Sequence, residues 1–183
     1  MQFEPLALPG LMRIRSQAAT DARGSFSRAF CTDEFAAHGL ESRFLQDSIS
    51  LNRETGTLRG LHFQKKPHQE TKFVQCLRGA IFDVAVDLRP SSPTFGRWAG
   101  VTLRAEDPGG LYIPEGFAHG FITLTDDSLV YYKITPAYVS GTEAGLHWND
   151  EKVGIEWPGT PRLVSERDAM LPGWTELAAT LSD

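Results

Sequence analysis

The segment from Ile81 to Arg89, IFDVAVDLR, gives the clearest secondary-structure signal in the chain. Its larger apolar residues alternate with polar or small ones, with Phe82, Val84, Val86 and Leu88 on one side and Asp83, Ala85, Asp87 and Arg89 on the other. Side chains on a β-strand point alternately to opposite faces, so a period of two is typical of a strand with one buried face. The segment therefore predicts a half-buried strand.

Similar short segments flank this strand. RWAGVTL, GLYIPEG, GFITLT and LVYYKI are rich in β-branched and aromatic residues, and turn formers such as DPGG and TDD separate them. Helical patterns are confined to TDEFAAHG, where Thr32 is a candidate cap, and to the tail around WTELAATL. This pattern predicts an all-β sandwich or barrel, and a jelly roll with short peripheral helices is the natural candidate.

Length and composition indicate one ordinary folded unit. The chain has 183 residues and no low-complexity linker, so we expect a single domain over residues 1–183. Hydrophobic residues make up 41 % and charged residues 22 %, and the net charge of −5 argues against nucleic acid or a membrane surface as a partner. Arginines and lysines at the site must therefore bind any anionic ligand.

Targeting and cysteine patterns give two further expectations. The start, MQFEPLALPGLMRIRSQ, lacks a basic stretch followed by a long apolar run, and no segment is long enough to cross a bilayer, so we expect a cytoplasmic location. Cys31 and Cys76 have no CxxC or metal-type spacing, which favours free thiols.

Missing motifs narrow the chemistry. The chain has no GxGxxG after a strand, no GxxxxGK[ST], no GxSxG and no HExxH, which argues against an enzyme-bound dinucleotide, P-loop chemistry and serine hydrolysis. A set of polar residues remains at strand positions and near the C-terminus. Each alone is explained equally well as a structural residue, but together they suggest a site: Arg59, His62, Lys72, His119, Tyr132 and Asp168.

Two interpretations of this set compete. PEGFAH, ending at His119, resembles the second metal motif of cupins, and His62 with Glu70 resembles part of the first, but Gln64 stands where a second histidine belongs. Transition metals favour imidazole and carboxylate over an amide oxygen, so Gln64 weakens the metal interpretation. The alternative is metal-free proton transfer next to a ketone, in which a histidine is the base, a lysine or arginine stabilises the enolate, and a tyrosine returns a proton.

Seven stretches, in order, resemble the dTDP-4-dehydrorhamnose 3,5-epimerase family from about Arg23 to Asp168. They are DARGSF, GTLRGLHFQ, GAIFDVAVDLRPSSPTFGRW, YIPEGFAHGF, YYKIT, GLHWND and GIEWP. The resemblance implies a metal-free, cofactor-independent, cupin-like jelly roll (double-stranded β-helix). It also implies a homodimer that acts on a nucleotide-linked 4-keto-6-deoxy sugar and supplies rhamnose-type units for cell-surface polysaccharides.

The same resemblance assigns roles to single residues. His62 becomes the base, Asp168 its partner, Lys72 the group that supports the enolate, and Tyr132 the proton donor on the other face of the sugar. The substrate-binding set that it implies is Arg59 and His119 lining the same site, Gln46 as a nucleotide-sugar contact, Tyr138 as a base-stacking ring, Glu143 as a further substrate contact, and Arg23 and Phe26 reaching the nucleotide of the partner subunit.

Strand geometry raises one objection to this assignment. Arg59 and His62 are three residues apart, so an ideal strand would point them to opposite faces. Glycine often marks strand irregularities, so the sequence predicts a bulge or a strand end near Gly60.

Four residues at three sites depart from the family pattern. Arg28 replaces a glutamate, Ser48 an asparagine, and Glu70-Thr71 the usual Gln-Gly before Lys72. Arg28 donates hydrogen bonds where the family has an acceptor, which points to a changed nucleobase or sugar, and Glu70 is placed to pair with Lys72. The alternatives are a single-inversion epimerase or ketoisomerase on another nucleotide sugar, and a non-catalytic cupin that binds sugar nucleotides.

Overall fold

The computed structural model describes residues 1–182. In chain order the strands are β1 (Gln2–Pro5), β2 (Met12–Arg15), β3 (Ala18–Asp21), β4 (Gly24–Ser27), β5 (Gln46–Asn52), β6 (Thr57–Gln64), β7 (Thr71–Arg78), β8 (Ala80–Asp87), β9 (Trp98–Arg104), β10 (Gly109–Ile113), β11 (Phe117–Thr123), β12 (Ser128–Thr135), β13 (Glu143–Gly145) and β14 (Leu163–Val164). The helices are α1 (Thr32–Ala37), α2 (Glu166–Ala169) and α3 (Trp174–Ala178).

Two facing sheets form the body of the fold. The first sheet has the strand order β1-β2-β10-β7-β12-β5, and the second has β13-β6-β11-β8-β9. Pairing within both orders is antiparallel, and the short β14 joins β6 in parallel. Strands β3 and β4 form a separate two-stranded hairpin. The all-β jelly roll expected from the sequence is therefore present, and the four strand segments beside IFDVAVDLR coincide with β9 to β12.

The core lies between the sheets. One cluster joins buried side chains of β7, β10 and β12 to those of β8, β9 and β11, among them Val74, Leu111, Ile81, Phe121 and Val130. Branched and aromatic side chains at alternate strand positions fill this space, since each strand turns one face inward.

The outer faces of both sheets are also covered. Val84 and Val86 of β8 pack against residues that follow β13, including Leu146 and Leu177. On the first sheet, Phe35 of α1 packs against Phe73 and Tyr112. The predicted half-buried strand is therefore wrong for β8, which is buried on both faces, and Asp83 and Asp87 are fully buried.

Two helix predictions also need correction. Thr32 does not cap α1, because Cys31 occupies the N-cap position and makes no side-chain cap hydrogen bond. Helices are not confined to the two predicted places either, since the four-residue α2 follows β14. Its N-cap Ser165 accepts a hydrogen bond from the backbone N–H of Asp168, which fixes this turn beside β6. Within residues 1–182 we find no helix with the length and apolar character needed to cross a bilayer.

Candidate active site

A bulge in β6 turns Arg59 and His62 toward the same cavity. His62 lies opposite His119 of β11, but Arg59 lies opposite Phe121, so β6 contributes one more residue than its partner between these two pairs. Gly60 lies in the bulge with φ +117°, and a Cβ placed there would be 2.6 Å from the Cα of Gly120. The irregularity predicted near Gly60 is confirmed, and it needs a residue without a side chain.

A cavity of about 370 Å³ opens between the two sheets and α2. It brings together the residues predicted to lie at the sugar, namely His62, Asp168, Lys72, Tyr132, Arg59 and His119. The other residues that line it are Ser48, Ser50, Glu70, Phe121, Ile134, Ser165 and Arg167. Cationic, anionic and aromatic groups thus converge on one space, as in a typical small-molecule site.

His62 is held by Asp168. The Nε2 atom of His62 lies 2.7 Å from Oδ1 of Asp168, and Oδ2 of the same carboxylate accepts a hydrogen bond from the backbone N–H of Gly60 at 3.1 Å. A carboxylate oxygen accepts this hydrogen bond, so Nε2 carries the proton and Nδ1 of the neutral ring keeps its lone pair. The arrangement orients a base.

Burial of His62 lowers its pKa below the ordinary value of 6.5, and the positive charges of Lys72 and Arg167 act in the same direction. Asp168 opposes them and raises the pKa, but burial is the largest contribution. The net effect keeps His62 neutral at physiological pH, which is the state that can accept a proton.

Lys72 lies on β7 and forms an ion pair within the cavity. Its Nζ is 2.9 Å from Oε2 of Glu70, and both side chains are largely buried. Lys72 is therefore not the solvated surface lysine that its strand position alone allows. Its pairing with Glu70 agrees with what the sequence suggested.

Tyr132 enters the cavity from β12. Its ring lies edge-on to His119, with centroids 6.0 Å apart, and its pKa is raised by burial and, to a smaller extent, by the charge of Asp83. Arg59 and the hydroxyl of Ser50 act against this shift. A phenol with a raised pKa stays protonated and is ready to donate.

Two buried residues outside the predicted set support the site. Asn52 accepts a hydrogen bond from Nε of Arg59 at 2.7 Å, and Asp83 lies 2.7 Å from Nε2 of His119. Asp83 was visible as a polar position of IFDVAVDLR, but the alternation suggested a solvent-facing side chain. The signal that could have identified Asp83 is a carboxylate on a strand that pairs with the strand of His119.

A second group of predicted residues lies beside this cavity. The backbone N–H of Tyr138 donates to Oε1 of Gln46 at 2.9 Å, and the hydroxyl of Tyr138 hydrogen bonds to Glu143. Glu143 also accepts from the backbone N–H of Gly141 at 2.7 Å. The exposed ring of Tyr138 is thus fixed at both its backbone and its hydroxyl.

Arg23 and Phe26 do not reach the cavity within one chain. Both belong to the β3–β4 hairpin region, where Arg23 pairs with Asp21 and Phe26 is 81 % exposed. Arg28, which departs from the family pattern, pairs with Glu34 of α1 at 2.5 Å and does not line the cavity.

The side chains that the cupin metal motifs would use as ligands already have hydrogen-bond partners in the protein. Both candidate histidines face a carboxylate, and the Gln64 side chain hydrogen bonds to Glu70 and Thr142. Over residues 1–182, no group of three or more His, Cys, Asp or Glu side chains has a metal-binding arrangement.

Comparisons with known proteins agree with this geometry. The family model described as dTDP-4-dehydrorhamnose 3,5-epimerase matches residues 5–176. The enzyme of that name from Sinorhizobium fredii is 42 % identical over 97 % of this chain and 91 % of its own.

Two solved structures are similar over nearly the whole chain. The dTDP-6-deoxy-D-glucose-3,5-epimerase of Legionella pneumophila, in complex with dTDP-4-keto-L-rhamnose, has a TM-score of 0.89 and 36 % identity, covering 96 % of both chains. A 3'-monoepimerase from Streptomyces bikiniensis, in complex with dTDP-quinovose, has a TM-score of 0.87 and 33 % identity, covering 97 % of this chain and 88 % of its own.

The jelly roll and its interior site define a cupin-like sugar isomerase whose substrate is a nucleotide sugar. Within that class, the chain belongs to the dTDP-4-dehydrorhamnose 3,5-epimerase family. The resemblance drawn from its seven sequence stretches is confirmed.

Proposed function

We propose that this protein inverts C3 and C5 of dTDP-4-keto-6-deoxyglucose, the 3,5-epimerisation of dTDP-L-rhamnose synthesis. The facing positions of His62 and Tyr132 carry the proposal. His62 lies on β6 of the second sheet and Tyr132 on β12 of the first, and both line the same cavity. A base and a proton donor on opposite walls can act on opposite faces of one sugar ring.

The chemistry follows from this placement. Neutral His62 removes the proton from a carbon next to the C4 ketone; the electron pair of the broken C–H bond forms a double bond to C4, and the π pair of the carbonyl moves to O4 to give an enolate. The ammonium of Lys72 stabilises that oxyanion, and Arg59 and His119 complete the polar lining. When the carbonyl reforms, the carbon takes a proton from the hydroxyl of Tyr132 on the other face. His62 then releases its proton to solvent and Tyr132 takes one up, so atoms and charge balance without a redox cofactor.

We assign nucleotide binding to the group beside the cavity, namely Gln46, Tyr138 and Glu143. The exposed Tyr138 ring is a stacking surface for the base, with Gln46 and Glu143 beside it. We assign Arg23 and Phe26 to the site of the other subunit in a homodimer, because an 81 % exposed phenylalanine on a projecting hairpin gains most from burial against a partner.

Two further proposals concern the chain as a whole. We propose that residues 1–183 form one epimerase domain, which the match over residues 5–176 supports. We also propose a cytoplasmic location, which agrees with the free thiols of Cys31 and Cys76, since disulfides are rare in reducing compartments.

Proton NMR in deuterium oxide with dTDP-4-keto-6-deoxyglucose tests the function. We expect loss of both the C3 and C5 proton signals and formation of the inverted product. The His62→Ala variant should show neither. Exchange that persists in His62→Ala would refute the role of His62, and absence of exchange in the wild type would refute this substrate.

A single inversion is the second candidate. The similarity to the 3'-monoepimerase favours it, as do the departures from the family pattern at Arg28 and Ser48, of which Ser48 lines the cavity. The same NMR experiment separates the two, because a single-inversion enzyme should exchange and invert at one carbon.

A further inference from the structure

Glu70 lies between the catalytic cavity and the segment that carries Tyr138. Its Oε2 is 2.9 Å from Nζ of Lys72, and its Oε1 accepts a hydrogen bond from Nε2 of Gln64 at 2.7 Å. Each carboxylate oxygen therefore has a different partner. The side chain is largely buried, so the two contacts are shielded from water.

Gln64 is fixed in turn by the segment that follows Tyr138. Its Oε1 accepts hydrogen bonds from the hydroxyl of Thr142 at 2.6 Å and from the backbone N–H of Val139 at 3.2 Å. Gln64 is 3 % exposed, and its amide group has protein partners at both the nitrogen and the oxygen. A continuous chain of contacts thus runs from Lys72 through Glu70 and Gln64 to the residues beside Tyr138.

We propose that Glu70 is a positioning residue that holds the ammonium of Lys72 at the enolate oxygen, and that Gln64 fixes Glu70 against the segment 139–142. The inference rests on the proposed function, since it assigns Lys72 the role given above. It also gives Gln64 a purpose, because the residue found in place of a cupin metal ligand here supports a carboxylate.

The physical reason lies in the lysine side chain. Lysine is a point charge on a flexible four-carbon stem, and ordering that stem costs rotamer entropy. An ion pair with Glu70 orders it before substrate binds and uses one of its three N–H donors, which leaves two for O4. Electrostatic catalysis depends on such preorganisation, because a misplaced charge must first move.

The Glu70→Gln variant tests the proposal with little change in volume. The amide keeps an acceptor for Gln64 but has no charge for Lys72, so we expect kcat for C3–H exchange to fall about tenfold while KM changes little. Glu70→Asp keeps the charge but shortens the reach, so it should restore part of kcat. Glu106→Gln, which alters an exposed ion pair with Arg104, is the matched control and should behave as the wild type.

A double-mutant cycle separates positioning from a general loss of structure. In a Lys72→Ala background, Glu70→Gln should cause no further decrease in kcat, because Glu70 acts through Lys72. An additional tenfold loss in that background, or an unchanged kcat in the single variant, would overturn the proposal.

A measurement without substrate distinguishes this proposal from the proposed reaction. Acetic anhydride labels free lysine amines, and mass spectrometry follows the labelling rate of Lys72 alone. We expect Lys72 to react several-fold faster in Glu70→Gln than in the wild type or Glu106→Gln. If Lys72 is labelled faster in Glu70→Gln but the wild-type protein does not exchange C3–H, the Glu70–Lys72 contact is supported and the proposed substrate is refuted. Equal labelling rates in the wild type and Glu70→Gln would refute the role of Glu70.

Discussion

At the scale of single residues, the protonation state of His62 controls the acid side of the pH profile. Burial lowers the pKa of His62 below 6.5, and only the neutral ring can accept a proton. As the pH rises through this pKa, the neutral fraction grows, so kcat/KM should rise and reach its plateau. We expect the rising limb of the kcat/KM profile to be centred below pH 6.5.

The Arg167→Gln variant tests whether the rising limb reports the pKa of His62. Its positive charge is among the contributions that lower the pKa of His62. Removing a cation favours the imidazolium, so Arg167→Gln should move the rising limb to higher pH. A limb centred above pH 6.5 in the wild type, or a shift to lower pH in Arg167→Gln, would contradict His62 as the titrating base.

The roles of Tyr132 and His62 should be distinguishable by comparing the rates of deuterium exchange and of epimerisation in one assay. In Tyr132→Phe the base and the enolate support remain, so proton abstraction and exchange with deuterium on the His62 face should continue. Inversion needs a donor on the opposite wall, and general acid catalysis contributes about 10²- to 10⁴-fold, so we expect epimerisation to fall at least about a hundredfold. NMR follows both rates in one sample, and equal loss of exchange and inversion would refute this division of roles.

The sequence predicted the groups that line the cavity better than the groups that hold them in place. The 2.7 Å contact between His62 and Asp168 followed from family resemblance alone, because 106 positions separate the two residues along the chain. Asn52 and Asp83 were not identified, since a polar residue in an alternating strand is normally assigned to solvent. Only the closure of two sheets shows that the polar face points into the barrel.

At the scale of elements, strand existence was predictable and strand environment was not. β-branched and aromatic runs between turn formers correctly predicted β8 to β12. The burial of both faces of β8 could not be read from its alternation, because the residues that cover its outer face, such as Leu146 and Leu177, are distant from it in sequence. The four-residue α2 is likewise too short for a hydrophobic period to indicate it.

The bulge in β6 is the element on which the site depends, and Gly60→Ala tests it. The new Cβ would meet Gly120 Cα at 2.6 Å and His119 O at 2.7 Å, in a backbone conformation with φ +117°. Backbone strain of this kind costs about 1–3 kcal/mol and the clash adds to it, so we expect the free energy of unfolding to fall by at least about 2 kcal/mol. Urea denaturation measures this change.

Gly159→Ala is the matched control for that substitution. No heavy atom lies within 4 Å of its would-be Cβ, so its stability should stay within about 0.5 kcal/mol of the wild type. Because Gly60 sets the relation between Arg59 and His62, any folded Gly60→Ala protein should also lose activity. A fully stable and active variant would show that the bulge can form without glycine.

At the scale of the whole molecule, two surfaces have the apolar exposure that the proposed homodimer requires. Strand β5 is the free edge of the first sheet, and its outward side chains Ile49 and Leu51 are 66 % and 47 % exposed, while Ser48 and Ser50 of the same strand line the cavity. Phe26 projects on the β3–β4 hairpin. Exposed apolar residues on an unpaired edge are typical of an interface, and this edge lies next to the active site.

Mixed dimers test whether the partner completes the site. The variant His62→Ala lacks the base, and the double variant Arg23→Ala/Phe26→Ala lacks the hairpin side chains, so each homodimer should have low activity at limiting substrate. In a mixed dimer, the subunit with intact His62 receives Arg23 and Phe26 from the other chain, which makes one complete site of two. With random pairing after coexpression, half of the dimers are mixed, so activity should recover to about a quarter of the wild type. If Arg23 and Phe26 instead served their own chain, no dimer would contain a complete site, and the coexpressed mixture would show only the average of the two parents.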